Sequence, residues 1–363
     1  MNNKRVNMLV DLAKMALIVA ISCALVLVII LLVSDEPGAA LSSFFLGPLS
    51  SLRHIGNVIE AATPLMFTGL AVSIIFRAGQ FSMISEGAFF LGGCGAMIAG
   101  ISLDLPPVIH PVVCILLGAA LGMAAAAVPA LLKLWWDVSE MVSSIMLNYV
   151  CLFLTLYIMN YHYRDTATTA FQSLEVQETA GLPVIVSGTR IHLGLAVALV
   201  FCGLAWVFLF RSRMGYRLRV TGDNASFAKY VGIGATGVMC AAQLIAGAAA
   251  GTGGAVELLG MYSRFKWQGL PGYGWTGIMV ALLAHRNPLA VPLSACFIAY
   301  LNVGAAIMSR SSDVASEVIS VIQGVILLLI ASEALLDGWR QRMIVKAAEQ
   351  EDRAAQPAAE GEG

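Results

Sequence analysis

Ten apolar runs, separated by short polar stretches, lie near residues 15–33, 58–76, 83–102, 108–132, 141–160, 193–210, 236–259, 273–284, 288–308 and 314–336. A bilayer's hydrocarbon core is about 30 Å thick, and roughly 20 apolar residues of α-helix cross it. The pattern therefore predicts an all-α, polytopic membrane protein with about ten transmembrane helices. The eighth run is too short to cross alone. Gly269, Pro271, Gly272 and Gly274 surround its start, so it is expected to be a broken or re-entrant helix that begins as irregular backbone. Such backbone is tolerated at depth only where protein or a water-filled cavity satisfies its polar groups. The first run is long and lacks a small-x-small cleavage site before Ser34, so it reads as a retained span and not a signal peptide.

These runs divide the chain into an N-terminus at 1–14, a membrane domain at 15–336 and a polar tail at 337–363 that reads as disordered. The membrane domain splits into halves near 15–192 and 193–336. Octapeptides of similar sequence open the fifth and tenth runs, Ser139–Met146 and Ser316–Gln323. Five crossings separate them, so the two copies would run in opposite directions, as in an inverted repeat. Glycines cluster at Gly69–Gly100 and Gly247–Gly277. Close helix packing is the plain explanation, and a pathway flanked by the two clusters is the functional one.

Charge fixes the expected orientation. With the N-terminus inside, fifteen of the 21 Lys and Arg residues fall on the cytoplasmic side, leaving Arg53, Arg164, Arg190, Arg264, Lys266 and Arg310 outside. Basic loops resist translocation, so both termini are expected in the cytoplasm and 161–192 outside. Composition agrees with the membrane reading: 59% of residues are hydrophobic and 12% charged, against about 25% charged in soluble domains. The seven cysteines and five histidines show no metal-ligand or disulfide spacing. No nucleophile–base set, metal site or phosphate-binding loop is present; Gly251–Gly254 lacks the Lys-Ser/Thr ending that a P-loop needs. The chain is accordingly read as no enzyme, with no cofactor or metal of its own and no nucleic-acid partner.

The most polar internal stretch is 211–234, with five basic residues (Arg211, Arg213, Arg217, Arg219, Lys229) between two spans. Within it, Asn224–Ile233 reads as a short helix. Asp223 or Asn224 would cap its start, and Gly232 and Gly234 would end it. Around Ala228, the apolar side chains Phe227, Tyr230 and Val231 would then form a docking face for a cytoplasmic partner. Trp135 and Trp136 beside Lys133 read as an interfacial belt.

Inside the spans, Glu86 is the most informative residue, because an ionisable group there is costly without a partner or cavity. Ser82, Ser85 and Glu86 could line a pathway together; equally, Glu86 could pair with Arg77 and hold a broken helix. Asn148, Tyr149 and Asn302 serve either interhelical hydrogen bonds or a polar cargo. Phe67, Phe90 and Trp275 offer aromatic faces for stacking. Glu60 and Glu257, near span ends, read as solvated.

Several of these stretches resemble the permease subunits of ABC importers of the ribose and branched-chain amino acid type, nearest the simple-sugar and nucleoside branch. The resemblance is carried by Gly69–Gly87 (GLAVSIIFRAGQFSMISEG), Met146–Tyr149 (MLNY), Pro271–Leu283 (PGYGWTGIMVALL), Asn302–Ala306 (NVGAA) and Val321–Ile326 (VIQGVI). It covers most of 60–336. Relatives often read FNIGAEGQ where this chain has FSMISEGA at Phe81–Ala88, so one amide is missing. The resemblance implies a bacterial inner-membrane protein working with a cytoplasmic ATPase, which would use the ATP, an extracytoplasmic binding protein and a second permease chain or copy. It also implies a nucleoside or simple sugar as cargo and 211–234 as the coupling loop. The alternative is a stand-alone secondary transporter driven by a proton or sodium gradient.

Overall fold

The computed structural model describes residues 36–312, together with the single positions Ala24, Leu27, Val28, Leu31, Val321 and Gly324. The expected first and tenth spans, both terminal segments and the Ser316–Gln323 copy of the repeat lie outside this range. The described residues form eleven α-helices and no strand. They are α1 (Pro37–Phe45), α2 (Leu52–Arg77), α3 (Ile84–Ser102), α4 (Ile109–Trp136), α5 (Glu140–His162) and α6 (Gly194–Arg211), followed by α7 (Arg213–Asp223), α8 (Ala225–Tyr230), α9 (Ala235–Met261), α10 (Tyr273–Leu283) and α11 (Val291–Ser311). Seven are long and apolar enough to cross a membrane: α2, α3, α4, α5, α6, α9 and α11. The eighth expected span is the short helix α10. Residues 262–272 precede it without regular structure, as the glycines and proline there predict.

A helix apolar on every side belongs in the middle of a bundle, and α3 shows this most fully: it is buried continuously from Ile84 to Met97. Helices α4, α5 and α9 pack directly on it. Glycine permits this closeness. A Cβ on Gly92 would strike the backbone of Gly251, one on Gly254 the carbonyl of Phe89, and one on Gly122 the carbonyl of Gly247. Three helix backbones thus meet with almost no side chain between them, and the plain packing explanation holds for these glycines.

Helix α5 is built the other way round from a soluble helix. Its buried stripe is Ser144, Asn148, Cys151, Thr155 and Met159, spaced three to four residues apart. The exposed face carries Met146, Tyr149, Val150, Phe153, Leu154 and Tyr157. Lipid is as apolar as a protein core, so small and polar residues turn inward and large apolar ones outward.

The irregular backbone before α10 is satisfied by the loop after α5. Ser173 N donates to Phe265 O (3.0 Å), Phe265 N to Ser173 Oγ (2.9 Å) and Val176 N to Ser263 O (2.9 Å). Arg264 joins the same clasp through Asp165 (2.5 Å) and Glu175 (3.3 Å). The long loop expected on the outer side is therefore a structural brace for the broken helix.

Candidate functional site

Two helix starts interlock in the interior, and buried polar side chains hold them. Helix α3 begins after the turn at Gly79, without a capping side chain of its own. Its free amides are met from α5: Met83 N donates to Ser144 Oγ (2.9 Å) and Gly87 N to Asn148 Oδ1 (2.9 Å). Asn148 Nδ2 returns a bond to Met83 O (3.0 Å). Both ends of the amide are thus used, as a buried amide requires.

From α3, Glu86 reaches across to the start of α10. Its carboxylate accepts from Gly272 N (2.6 Å) and from Gly274 N. A carboxylate at a helix N-terminus satisfies the exposed amides and opposes the positive end of the helix dipole. Gly272 sits at φ +82°, in the left-handed region that glycine adopts without penalty. A Cβ on Gly274 would meet Glu86 itself. Glu86 therefore does hold a broken helix, but through backbone amides and not through Arg77. Arg77 instead donates from Nε to Arg286 O (3.2 Å).

The other residues singled out from the sequence divide into three groups. Phe67, Ser82 and Ser85 are buried with Glu86 and Asn148, and the hydroxyls of Ser82 and Ser85 have no hydrogen-bond partner among the described residues. Phe67 meets Phe201 edge-on, while Phe90 packs on Phe265 and Trp267, so these rings are occupied by one another. Tyr149 and Trp275 are 54% and 52% exposed, although the backbone amide of Trp275 adjoins the Glu86 carboxylate, and Asn302 is half-buried on α11. The expectation of solvation fails at Glu257. That residue is 3% exposed, and Tyr273 Oη donates to it over 3.4 Å. Its place near a span end misled, because α9 is covered along most of its length.

One end of the bundle holds a cavity of about 740 Å³ between the start of α2, the end of α11, Met261 and the 188–190 turn. Arg53, Asn57, Glu60, Arg190 and Arg310 line it. Four separate segments expected on the outer side converge here. The volume is that of a small-molecule site, yet none of the pathway residues proposed from sequence lines it.

The loop expected to couple to a partner lies at the opposite end of α6. It holds two helices, where sequence pointed to one. Helix α7 is capped by Ser212, whose Oγ accepts from Gly215 N (2.9 Å). Asp223 is its last residue and caps nothing; Asn224 caps α8 by accepting from Phe227 N (2.9 Å). At the other end of α8, Ile233 N donates to Ala228 O (2.9 Å) and Gly232 N to Lys229 O (3.1 Å), with Gly232 at φ +80°. This is a Schellman motif. Ala228 is buried, while Phe227, Tyr230 and Val231 are 53%, 90% and 51% exposed.

Helix α7 also touches the interior junction. A Cβ on Gly222 would overlap the carbonyl of Arg77, and one on Gly79 would press on the backbone of Gly222. Beyond that turn, Gln80 donates to Glu140 (3.2 Å) and Met83 opens α3. A continuous series of contacts therefore runs from α7 to the α3 start, and through Glu86 to α10.

Residues 54–331 match the family described as branched-chain amino acid transport system, permease component. The chain is 33% identical to a guanosine ABC transporter permease protein of Bacillus subtilis, over 84% of this chain and 88% of that one. It is 30% identical to a glucose ABC transporter permease protein of Haloferax volcanii, over 82% and 81%. It is 24% identical to a nucleoside ABC transporter permease protein of Lactococcus lactis, over 93% and 94%. No solved structure matches. With seven described helices of membrane-crossing length and a family match over most of its residues, the chain belongs to the branched-chain amino acid transport permease family and is a multi-pass membrane permease subunit of the ABC-transporter type.

Proposed function

We propose that this permease imports a nucleoside, or a related simple sugar, in complex with a separate ATPase, an extracytoplasmic binding protein and a second permease chain. The observation that carries the cargo class is the 33% identity to a guanosine permease across nearly the whole of both chains. The 740 Å³ cavity suits such a cargo: Asn57, Glu60 and Arg190 offer donors and acceptors for hydroxyl and base edges. The orientation in this reading puts that cavity outside, with α7, α8 and both termini in the cytoplasm, in line with the Lys and Arg distribution.

The same reading gives the contact series a purpose. An ATPase gripping Phe227, Tyr230 and Val231 would move α8 and α7. Gly222 bears on the Gly79 turn, so that displacement reaches the α3 start, and Glu86 passes it to α10. Ser82, Ser85, Glu86 and Asn148 then act at the junction that changes during transport, whether or not they touch cargo. The decisive experiment is uptake of labelled guanosine and glucose into proteoliposomes holding the permeases, the ATPase and the binding protein. Uptake should require ATP inside the ATPase compartment and survive collapse of ion gradients. Uptake that follows an imposed proton or sodium gradient without ATP would establish the secondary-transporter alternative.

A further inference from the structure

Beside the coupling helix lies a second concavity, of about 640 Å³, that the transport reading leaves unused. Arg211, Arg213, Arg217 and Arg219 line it together with Phe210 and Tyr216, and α8 closes it with Phe227 and Val231. No acidic residue is among its walls. Among the described residues, the side chains of Arg211, Arg213 and Arg217 make neither a hydrogen bond nor an ion pair; Arg219 stacks on the Phe210 ring at 4.9 Å. An inside-positive rule accounts for basic residues in this loop but not for four of them converging on one pocket, where they repel one another. Clustered positive charge of this kind attracts an anion. A guanidinium presents a planar fork that matches phosphate oxygens two at a time.

The pocket's level in the membrane says which anion. Helix α6 buries only Gly194, Ala198, Cys202 and Leu209, and Leu199, Val200, Leu204 and Val207 form an exposed apolar face along it. Its 18 residues span about 27 Å at 1.5 Å each, close to the hydrocarbon thickness. Arg211 is the last of them, so the pocket opens where lipid-facing helix gives way to headgroup. Tyr216 is an amphipathic anchor at that boundary.

We propose that this pocket binds the phosphodiester headgroup of an anionic phospholipid, such as phosphatidylglycerol, next to the coupling helix. Basic pockets at helix ends hold such headgroups by charge and by multiple hydrogen bonds. The site shares two walls with the docking face of α8, so a bound lipid would also steady Phe227 and Val231.

The test reads lipid directly and does not depend on the cargo or on transport. The full chain, purified with its partner subunits, is placed in nanodiscs of phosphatidylcholine with or without phosphatidylglycerol, and retained lipids are counted by native mass spectrometry. Each of Arg211→Gln, Arg213→Gln and Arg217→Gln should weaken phosphatidylglycerol retention about tenfold, the size of one charge-assisted hydrogen bond. Each single change leaves four of the five basic residues of the loop, so insertion is preserved; Arg53→Gln, at the other end of the bundle, should change nothing. Undiminished retention in all three variants overturns the proposal. So does displacement of the lipid by added inorganic phosphate, which would assign the pocket to a free anion. Reduced ATPase co-purification in either lipid, with phosphatidylglycerol retention intact, would give the arginines to an acidic surface of the ATPase instead.

Discussion

The interior junction and the α7–α8 surface use the same kinds of polar group in opposite ways. At the junction each strong polar group on Glu86 and Asn148 finds its partner within the chain, over long sequence separations and mostly on backbone amides. On the α7–α8 surface the helices cap themselves locally, through Ser212, Asn224 and Gly232, while the side chains of Arg213, Arg217, Phe227 and Tyr230 stay open. A region whose carboxylate and amide are met within the chain is built to hold a geometry. A region that finishes only its backbone and leaves its side chains open is built to be completed by something else. The Gly79–Gly222 contact joins the two.

The comparison can be broken most severely where helix backbones touch. Gly254→Val drives side-chain atoms into the Phe89 carbonyl, and overpacking of that kind costs about 3 kcal/mol or more. We expect little folded protein by fluorescence-detected size exclusion; normal amounts would show that the α3–α9 crossing can open.

Substitution at the junction should separate geometry from stability. Glu86→Gln leaves one of the two α10 amides facing a donor, at about 1–3 kcal/mol. Uptake should fall more than the amount of folded protein, and Asn148→Ala should behave alike. Equal losses of uptake and protein would reduce both residues to scaffolding.

On the open surface, the effect should appear in assembly and not in folding. Truncating an aromatic anchor removes about 2 kcal/mol or more from an interface, so Phe227→Ala should lower ATPase co-purification and transport-stimulated hydrolysis while the spans stay folded. Ala228→Pro should be worse, since it deletes the Ala228 N to Asn224 O bond within α8. Wild-type uptake with Phe227→Ala would make α8 a linker.

A smaller change tests the local caps: Asn224→Ala should cost about 1 kcal/mol and weaken assembly several-fold less than Phe227→Ala. The smallest effect is expected at Asp137. Lys133 lies 2.8 Å away and holds this fully exposed carboxyl below its usual range. Its contribution is present above the ordinary aspartate value and fades as pH falls through the lowered one. Asp137→Asn should therefore leave thermal stability at neutral pH nearly unchanged, as surface pairs usually do.

The sequence by itself determined the membrane class, the succession of spans within the described residues, the break before α10 and the self-capped helix at Asn224–Gly232. Each of these depends on neighbours along the chain: run length against bilayer thickness, glycine and proline in place of helix formers, a capping side chain three residues from its amide. Only the tertiary structure decided which way each helix faces. Lipid and protein interior are both apolar, so hydrophobic periodicity carries little rotational information in a span. Tyr149 and Asn148 are neighbours in sequence, yet one faces outward and the other closes the α3 start. The partners of Glu86 lie 186 and 188 residues away on glycine amides, which no side-chain pattern marks. The four arginines lie close together in sequence, but that they share one pocket with Phe210 and α8 follows from the turn between α6 and α7, where Ser212 redirects the chain.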